Sequence, residues 1–517
     1  MKRTLGILLA VIMLLSCTSA AFAQVQPIAE GDPTTLTFLT ASISGSVIDD
    51  YNDNVTLQEI EKLLNVKIEW NHAPSGQLND KINTMIAAMD LPDIIDSFND
   101  AYAKGPDDAI EQGIILRLNE LIDQYAPDFK AVLEAYPEAR RQVTTDSGNI
   151  WAFPCLQPKE EPSWRGPCIR QDLLDEYGLK VPTSIAELEK VLYTFKEKGV
   201  EVPLYCNPVK DAATVEDGFI ISAFDMGPRF YMKPDANGKQ TVHYYAMDDQ
   251  FKAYLELMKK WYDDGILDKE FDTRDGDSAE SIMTQGKVGV YASGRGYGPT
   301  LRIQTNARKN GDENFTLELF PNLPLENGGE VHYRQTNFIN KSNNAVITTS
   351  CENPELAVKY LNFGYSEEGA MFYNYGLEGL TYTIVDGKPQ FTEYVTNNPD
   401  GYGWTNLRES IKRHTGSYLR DWTAFPATEF ELRCMNTWSL AGNDYVMPPV
   451  SRTAEESTRY AKIMGDVKVY VEECVAGFIT GAKPISEFES FRSVLSGMGV
   501  EEAIQIQQAA LDRYYQR

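Results

Sequence analysis

Thr34-Thr35-Leu36-Thr37-Phe38-Leu39-Thr40, Thr56-Leu57-Gln58-Glu59-Ile60, Val66-Lys67-Ile68-Glu69-Trp70 and Met85-Ile86-Ala87-Ala88-Met89 through Asp93-Ile94-Ile95 decide the fold. Leu36 and Phe38 alternate with threonines, the period of a strand with one face buried. Thr56 and Glu59 have the spacing of a capping box, and Leu57, Ile60, Leu63 and Leu64 follow at helical spacing. Val66, Ile68 and Trp70 alternate again. Leu78, Ile82, Met85, Ile86 and Met89 share a helical face, which leads through Pro92 into the apolar Ile94-Ile95. Strand, helix, strand, helix, strand is the pattern of a parallel α/β sheet, whose ligands bind at the carboxyl ends of the strands.

Helices and strands alternate through the remainder. Phe251, Tyr254, Leu255, Met258, Trp261 and Tyr262 make one face of a helix capped near Asp248, so Trp261 reads as core. Asn353-Pro354-Glu355 reads as an N-cap followed by proline in the first turn. No Pro- or Ser-rich linker separates independent domains. In 517 residues, enough for two or three domains, that absence implies lobes sharing several chain crossings.

Lys and Arg number 48 against 75 Asp and Glu, a net charge of −27. Such a surface repels phosphate backbones and anionic lipid, so no nucleic-acid partner is expected. Lys2 and Arg3 precede an apolar run from Leu5 to Leu15, and Ala21-Phe22-Ala23 precedes Gln24: residues 1–23 read as a cleaved signal peptide. Leu14-Leu15-Ser16-Cys17 also resembles a lipobox, with Cys17 as the lipidated residue, although Leu15 is bulky for its position and no long Gly/Ser tether follows. Both routes lead to an exported protein. Beyond the leader six cysteines remain, without CxxC or zinc spacing, and they read as buried thiols. A Cys155–Cys168 bridge is the alternative an oxidising compartment allows.

Catalytic and metal motifs are missing. His72, His243, His332 and His414 are far apart, no GxSxG elbow occurs, and Pro299 takes the last glycine position after Gly294-Arg295-Gly296-Tyr297-Gly298, where no helix is expected to open. Asp235-Ala236-Asn237-Gly238 and Asp272 to Asp277 lack the closing Glu of a calcium loop and read as turns. The chain therefore reads as a binder and not an enzyme, with no cofactor and no metal. The aromatic content, 28 Tyr, 22 Phe and 7 Trp, suits sugars, whose C–H faces stack on rings while their hydroxyls need fixed polar partners. Trp164 near Arg170, Arg295 beside Tyr297, Tyr375 near Glu378, and Trp404 near Asn406 have that composition.

Ala87 to Ile94, Ile150-Trp151-Ala152-Phe153-Pro154, Ile169 to Asp175 with Gly178-Leu179 and Val181-Pro182-Thr183, Gly286-Lys287-Val288-Gly289, Asn353-Pro354-Glu355 with Gly376-Leu377-Glu378-Gly379, and the tail from Tyr470 to Tyr515 resemble, in order, the family 1 extracellular solute-binding proteins, in their large LplA-like lipoprotein branch. The resemblance implies a type II periplasmic-binding-protein-like fold, with two α/β lobes joined by hinge crossings and a ligand cleft between them. It also implies capture of a carbohydrate, an oligosaccharide above all, by a monomer that delivers it to ABC transporter permease subunits. On this reading 34–152 plus 292–336 form the N-terminal lobe and 153–291 plus 337–517 the C-terminal lobe. Trp70, Phe98, Asn99, Arg295 and Tyr297 are expected on the first rim, facing Trp164, Arg170, Glu378 and Trp404, with Tyr375 beside Glu378. A secreted glycosidase or lyase and a receptor-docking sensor are the alternatives.

Two departures from the family matter. Leu173 stands where Trp is usual, and Lys198-Gly199-Val200-Glu201-Val202-Pro203 runs through where many members carry an acidic calcium loop. Chelation should therefore leave the rate of proteolysis at 198–203 unchanged, and metal-dependent protection there would refute this reading.

Overall fold

The computed structural model describes residues 25–517 apart from 44–46, 75, 158–161, 214–217, 295–298, 340–343, 401, 403–406, 408–409 and 412–428. Residues 1–23, read above as a signal peptide, and Cys17, Arg295, Tyr297 and Trp404 thus lie outside the described residues. The strands are β1 (Thr34–Ala41), β2 (Val66–Ala73), β3 (Ile94–Asp96), β4 (Arg165–Arg170), β5 (Val202–Tyr205), β6 (Phe230–Pro234), β7 (Gln240–Tyr244), β8 (Val288–Gly294), β9 (Leu317–Leu319), β10 (Ala345–Ile347), β11 (Tyr382–Val385) and β12 (Lys388–Phe391). Among the described residues no helix is long and apolar enough to cross a membrane.

The chain divides into two compact units. One takes the described residues of Met1–Glu160 and Phe338–Pro426 with Arg517; the other takes Glu161–Asn337 and Ala427–Gln516. The chain thus passes between units at 160–161, 337–338 and 426–427. This corrects the expected lobes: 292–336 belongs with the second unit, and 153–160 and 338–426 with the first. The reason is strand pairing, since β8 and β9 both bond to β4, whereas β10 bonds to β3.

The first unit is built on a sheet of order β10-β3-β1-β2. β1 and β2 run parallel in full register from Thr34↔Val66 to Ala41↔Ala73, β3 is parallel to β1, and β10 is antiparallel to β3. Alternation sends Phe38, Ile68 and Trp70 into one core with the helix Val55–Leu64, and Leu39, Ile95 and Val346 into another with Ile82. Two local expectations shift. The N-cap of that helix is Asn54, whose side chain accepts the N–H groups of Thr56 and Leu57 at 3.0 Å, so Thr56 lies inside the helix. Met89 is not on the core face: it caps the helix Leu78–Ala88 in the left-handed region (φ 52°) and is exposed.

The second unit has a sheet of order β5-β8-β4-β9, with β8 parallel to β5 and antiparallel to β4. Phe251, Tyr254, Leu255, Met258 and Trp261 of the helix Asp249–Asp263 are buried, and Trp261 Nε1 donates to Glu189 at 2.9 Å. The long helix Ala454–Thr480 opens on a true capping box, Thr453 with Glu456, and packs on that helix. Asp235 holds the β6–β7 turn by accepting from the N–H groups of Asn237 and Lys239, as a turn residue does. Asp275, read as a turn residue, instead caps the helix Gly276–Thr284. A helix, Pro299–Lys309, does open after the glycine-rich stretch, with proline in its first turn, so the ground for excluding one there falls.

Arg170 is not free to meet a ligand. It closes β4 against two distant loops: Nε donates to Asp172 at 2.8 Å, Nη2 to Asp312 at 2.9 Å and Nη1 to the Gly286 carbonyl at 2.9 Å, with Phe315 under the guanidinium at 4.1 Å. Removing one partner of a buried charge cluster costs about 3–5 kcal/mol. Arg170→Met should lower the stability of the second unit by about 3 kcal/mol in urea unfolding while leaving ligand affinity intact; a lost affinity at unchanged stability would make it a ligand contact.

All six cysteines of the described residues are buried and none forms a disulfide, so no Cys155–Cys168 bridge is present. Burial pushes the Cys351 and Cys434 thiols up to about 12 and Cys168 well above its usual value. Because the thiolate is the reactive species, Ellman's reagent should find no thiol in the native mature protein and six after denaturation.

Candidate functional site

Ligand-facing residues of an α/β unit come from the carboxyl ends of its parallel strands. In the first unit these ends are Ala41, Ala73 and Asp96. Thr40 Oγ1 donates to Asp96 Oδ2 at 3.2 Å, and Ser97 Oγ donates to Asp96 Oδ1 at 3.0 Å. Ser97 holds φ 56°, a left-handed conformation that costs a non-glycine residue energy, and it turns the chain from β3 into the helix Phe98–Ala101. The Ser97 N–H is tied to the Asn344 carbonyl at 2.9 Å, so this corner is fixed from two distant segments.

Gln157 lies in the same unit, and its N–H donates to the Ile339 carbonyl at 2.8 Å. Its side chain is 2% exposed, and neither amide atom has a hydrogen-bond partner. A buried amide left unbonded costs about 1–3 kcal/mol. Sites that carry such a cost are candidates for a ligand's hydroxyls.

In the second unit Trp164 immediately precedes β4, whose first residue, Arg165, pairs with Gly294 at the end of β8. The half-buried Trp164 stands on a fixed frame. Its N–H donates to Gln335 Oε1 at 2.8 Å, Ser163 Oγ donates to the Gln335 carbonyl at 2.7 Å, and Arg334 Nη1 donates to Ser163 Oγ at 3.0 Å. The Ser163 N–H reaches Ser439 Oγ at 2.9 Å. Gly166 is required here, because a Cβ would stand 2.5 Å from the Trp438 ring, whose Nε1 donates to the Pro167 carbonyl. On β8, Ser293 Oγ is buried and without a partner.

Of the residues singled out from sequence, Trp164 is the one with both an accessible ring and a polar frame. Trp70 and Phe98 are corrected to core. Trp70 stacks on Phe38 at 4.6 Å between ring centroids, and Phe98 is 1% exposed and stacks on Tyr102 at 5.5 Å. The backbone of Asn99 lies in the helix Phe98–Ala101. Tyr375 packs 5.7 Å from Tyr382 and 5.5 Å from Phe391, on the β11–β12 hairpin. Tyr375 and Glu378 belong to the first unit, not the second, so Glu378 does not share a unit with Trp164. Burial first, and then the Glu378 charge, pushes the Tyr382 hydroxyl up to about 12. Thr40, Asp96, Ser97, Gln157 and Ser293 escaped the sequence reading. Short polar residues leave no pattern, although Asp96-Ser97 directly after an apolar strand was a usable signal.

The chain matches the family model of bacterial extracellular solute-binding proteins over residues 49–371. It is 26% identical over 520 residues, 93% of this chain and 90% of the relative, to the fructooligosaccharide ABC transporter substrate-binding protein FusA of Streptococcus pneumoniae. It is also 26% identical over 284 residues, about half of each chain, to the polygalacturonan/rhamnogalacturonan-binding protein YtcQ of Bacillus subtilis. Among solved structures, the alginate-binding protein AlgQ2 without calcium ion superposes with a TM-score of 0.74 at 25% identity, over 94% of this chain and 99% of that one. FusA in complex with kestose gives 0.76 at 22% identity, over 93% and 99%, a likeness of fold.

The turn at 198–201 does not suit a calcium ion. Its backbone is already closed: Lys198, Gly199 and Val200 donate to Thr194, Lys196 and Phe195 at 2.9–3.0 Å, and Lys196 Nζ donates to the Asp264 carbonyl. Two lysines and self-satisfied amides do not fit a divalent cation. The fold, the strand-end corners and the matched sequence together make this chain a member of the bacterial extracellular solute-binding protein family.

Proposed function

We propose that this exported protein captures an oligosaccharide outside the cell and delivers it, as a monomer, to the permease subunits of an ABC importer. The similarity to a fructooligosaccharide-binding protein across 93% of the chain carries this reading. Trp164 supplies a ring for a sugar's C–H face, held at its backbone by Gln335. Ser293, in the same unit, supplies an unspent hydrogen-bonding group for a hydroxyl, and Gln157 in the first unit carries another such group. Capture is by hinge closure: a ligand that favours one arrangement of the units draws the population there, and one that binds both arrangements equally shifts nothing. The ligand leaves unchanged, since the family is one of binding proteins.

The test is calorimetry and thermal shift with kestose, nystose, raffinose and oligogalacturonides, followed by chromatography of the recovered sugar. The true ligand at about 100 times its dissociation constant should stabilise the protein by about 2.7 kcal/mol and be recovered intact; a shortened sugar would indicate an enzyme. Trp164→Ala should cost about 2 kcal/mol of binding, about 30-fold in affinity, without unfolding the protein. Gln157→Met has a signed pair of outcomes. Removing the unbonded amide should raise the stability of the free protein by about 1 kcal/mol and weaken binding, whereas a stabilised variant with full affinity would place Gln157 outside the site.

A further inference from the structure

A cavity of about 690 Å³ lies wholly within the second unit, between the β6–β7 hairpin, the helix Pro208–Ala213 and one face of the helix Ala454–Thr480. That volume is typical of a small-ligand site. Part of its wall is aromatic: Phe230 packs 4.8 Å from Tyr244 and 5.8 Å from Tyr460. Its charged lining is positive in a strongly acidic protein, with Lys210, Arg229 and Lys468 against the single carboxylate of Glu472. Lys468 lies 3.9 Å from Glu472, while neither Lys210 nor Arg229 forms an ion pair among the described residues. Arg229 is presented by a left-handed backbone (φ 55°), which is uncommon for a residue with a side chain.

Two further observations point to an absent anion. On Tyr460 stacks a second guanidinium, Arg452, at 4.2 Å, and its buried Nε has no partner. Burial holds the Arg452 pKa down, and Arg229 presses it in the same direction. Glu456 offsets part of this positive charge, and Arg452 stands behind Tyr460, outside the cavity lining. Then there is Gly465, in the middle of the long helix and on the cavity wall. A mid-helix glycine costs about 1 kcal/mol relative to alanine, yet a Cβ there would meet nothing within 4 Å. Packing does not require the glycine; its effect is to leave the cavity open.

We infer that this cavity is a binding site for a carboxylate-bearing sugar residue, a hexuronate. The carboxylate would lie by the Arg229 and Lys210 cations and the ring face against Tyr460 and Phe230. Arginine's planar fork matches a carboxylate, and the tyrosine faces match the pyranose C–H surface. Neutral sugars lack the first recognition element and simple carboxylates the second.

The experiment titrates the mature protein with D-galacturonate, D-galactose and acetate by calorimetry. Galacturonate should bind saturably with a dissociation constant below about 1 mM, and galactose and acetate should not. Arg229→Gln should weaken galacturonate about 10-fold, the scale of one charge-assisted contact. Gly465→Leu, which fills the cavity from a position with room for it, should abolish binding at an unchanged or higher melting temperature. In both variants the oligosaccharide taken by the protein should bind as in the wild type, which separates this site from the importer's ligand. Equal binding of acetate, absence of galacturonate binding, or galacturonate binding undiminished in Gly465→Leu would each overturn the proposal.

Discussion

Residues 344–348 hold the first unit together, and everything else about the chain's organisation follows from where they sit. Val346 and its neighbours complete the β3 edge in the register Ala345↔Asp96 to Ile347↔Ile94. Ala345 exchanges both backbone hydrogen bonds with Phe153, the Ile347 carbonyl accepts the Leu116 N–H, and the Asn344 carbonyl accepts that of Ser97. This short segment thus binds three segments, at 94–97, 116 and 153, that precede it by more than a hundred residues of chain. β3 by itself has three residues, of which two pair with β1. A sheet edge this short is not stable without a partner. The partner arrives only after the chain has laid down 161–337, so neither unit can finish from contiguous sequence. Non-local pairing of this kind makes folding slow.

The same constraint explains what was readable in the sequence. The strands at 34–41, 66–73 and 94–96 and the helices between them follow from local alternation, and they form as read. What failed was sheet membership. β9 and β10 are short apolar runs, and nothing local says which sheet each joins. β9, expected in the first lobe, pairs with β4, and β10, expected in the second, pairs with β3. Cap positions failed in a smaller way. Asn54 and Thr56 are both good N-cap types, and the choice between them rests on one residue of helix phase.

Site residues were legible in proportion to how far their partners are along the chain. Arg170 beside an aromatic has the composition of a sugar contact. Its real partners, Asp312 and the Gly286 carbonyl, are far downstream, and they consume the donors of the guanidinium. Trp70 lies within β2, where alternation turns its ring inward, and Phe98 opens the helix after β3 with its ring buried against Tyr102. Trp164 stays half-buried because it lies just outside β4. There the sheet no longer dictates which face a side chain takes, and Gln335 and Ser439 fix the backbone instead.

The remaining polar groups show why such a frame discriminates. Gln157 and Ser293 together bury three side-chain atoms with no protein partner. Each costs the ligand-free protein free energy that a hydrophobic residue of similar size would not. A site built this way gains most from a solute that returns hydrogen bonds to those atoms, and it rejects one that fills the same space without them, because the desolvated groups then stay unpaired. Rings such as Trp164 attract any saccharide face and distinguish poorly among them. On the proposed reading, affinity for sugars as a class rests on the aromatic ring, and the choice among sugars rests on the polar side chains that no sequence pattern announces.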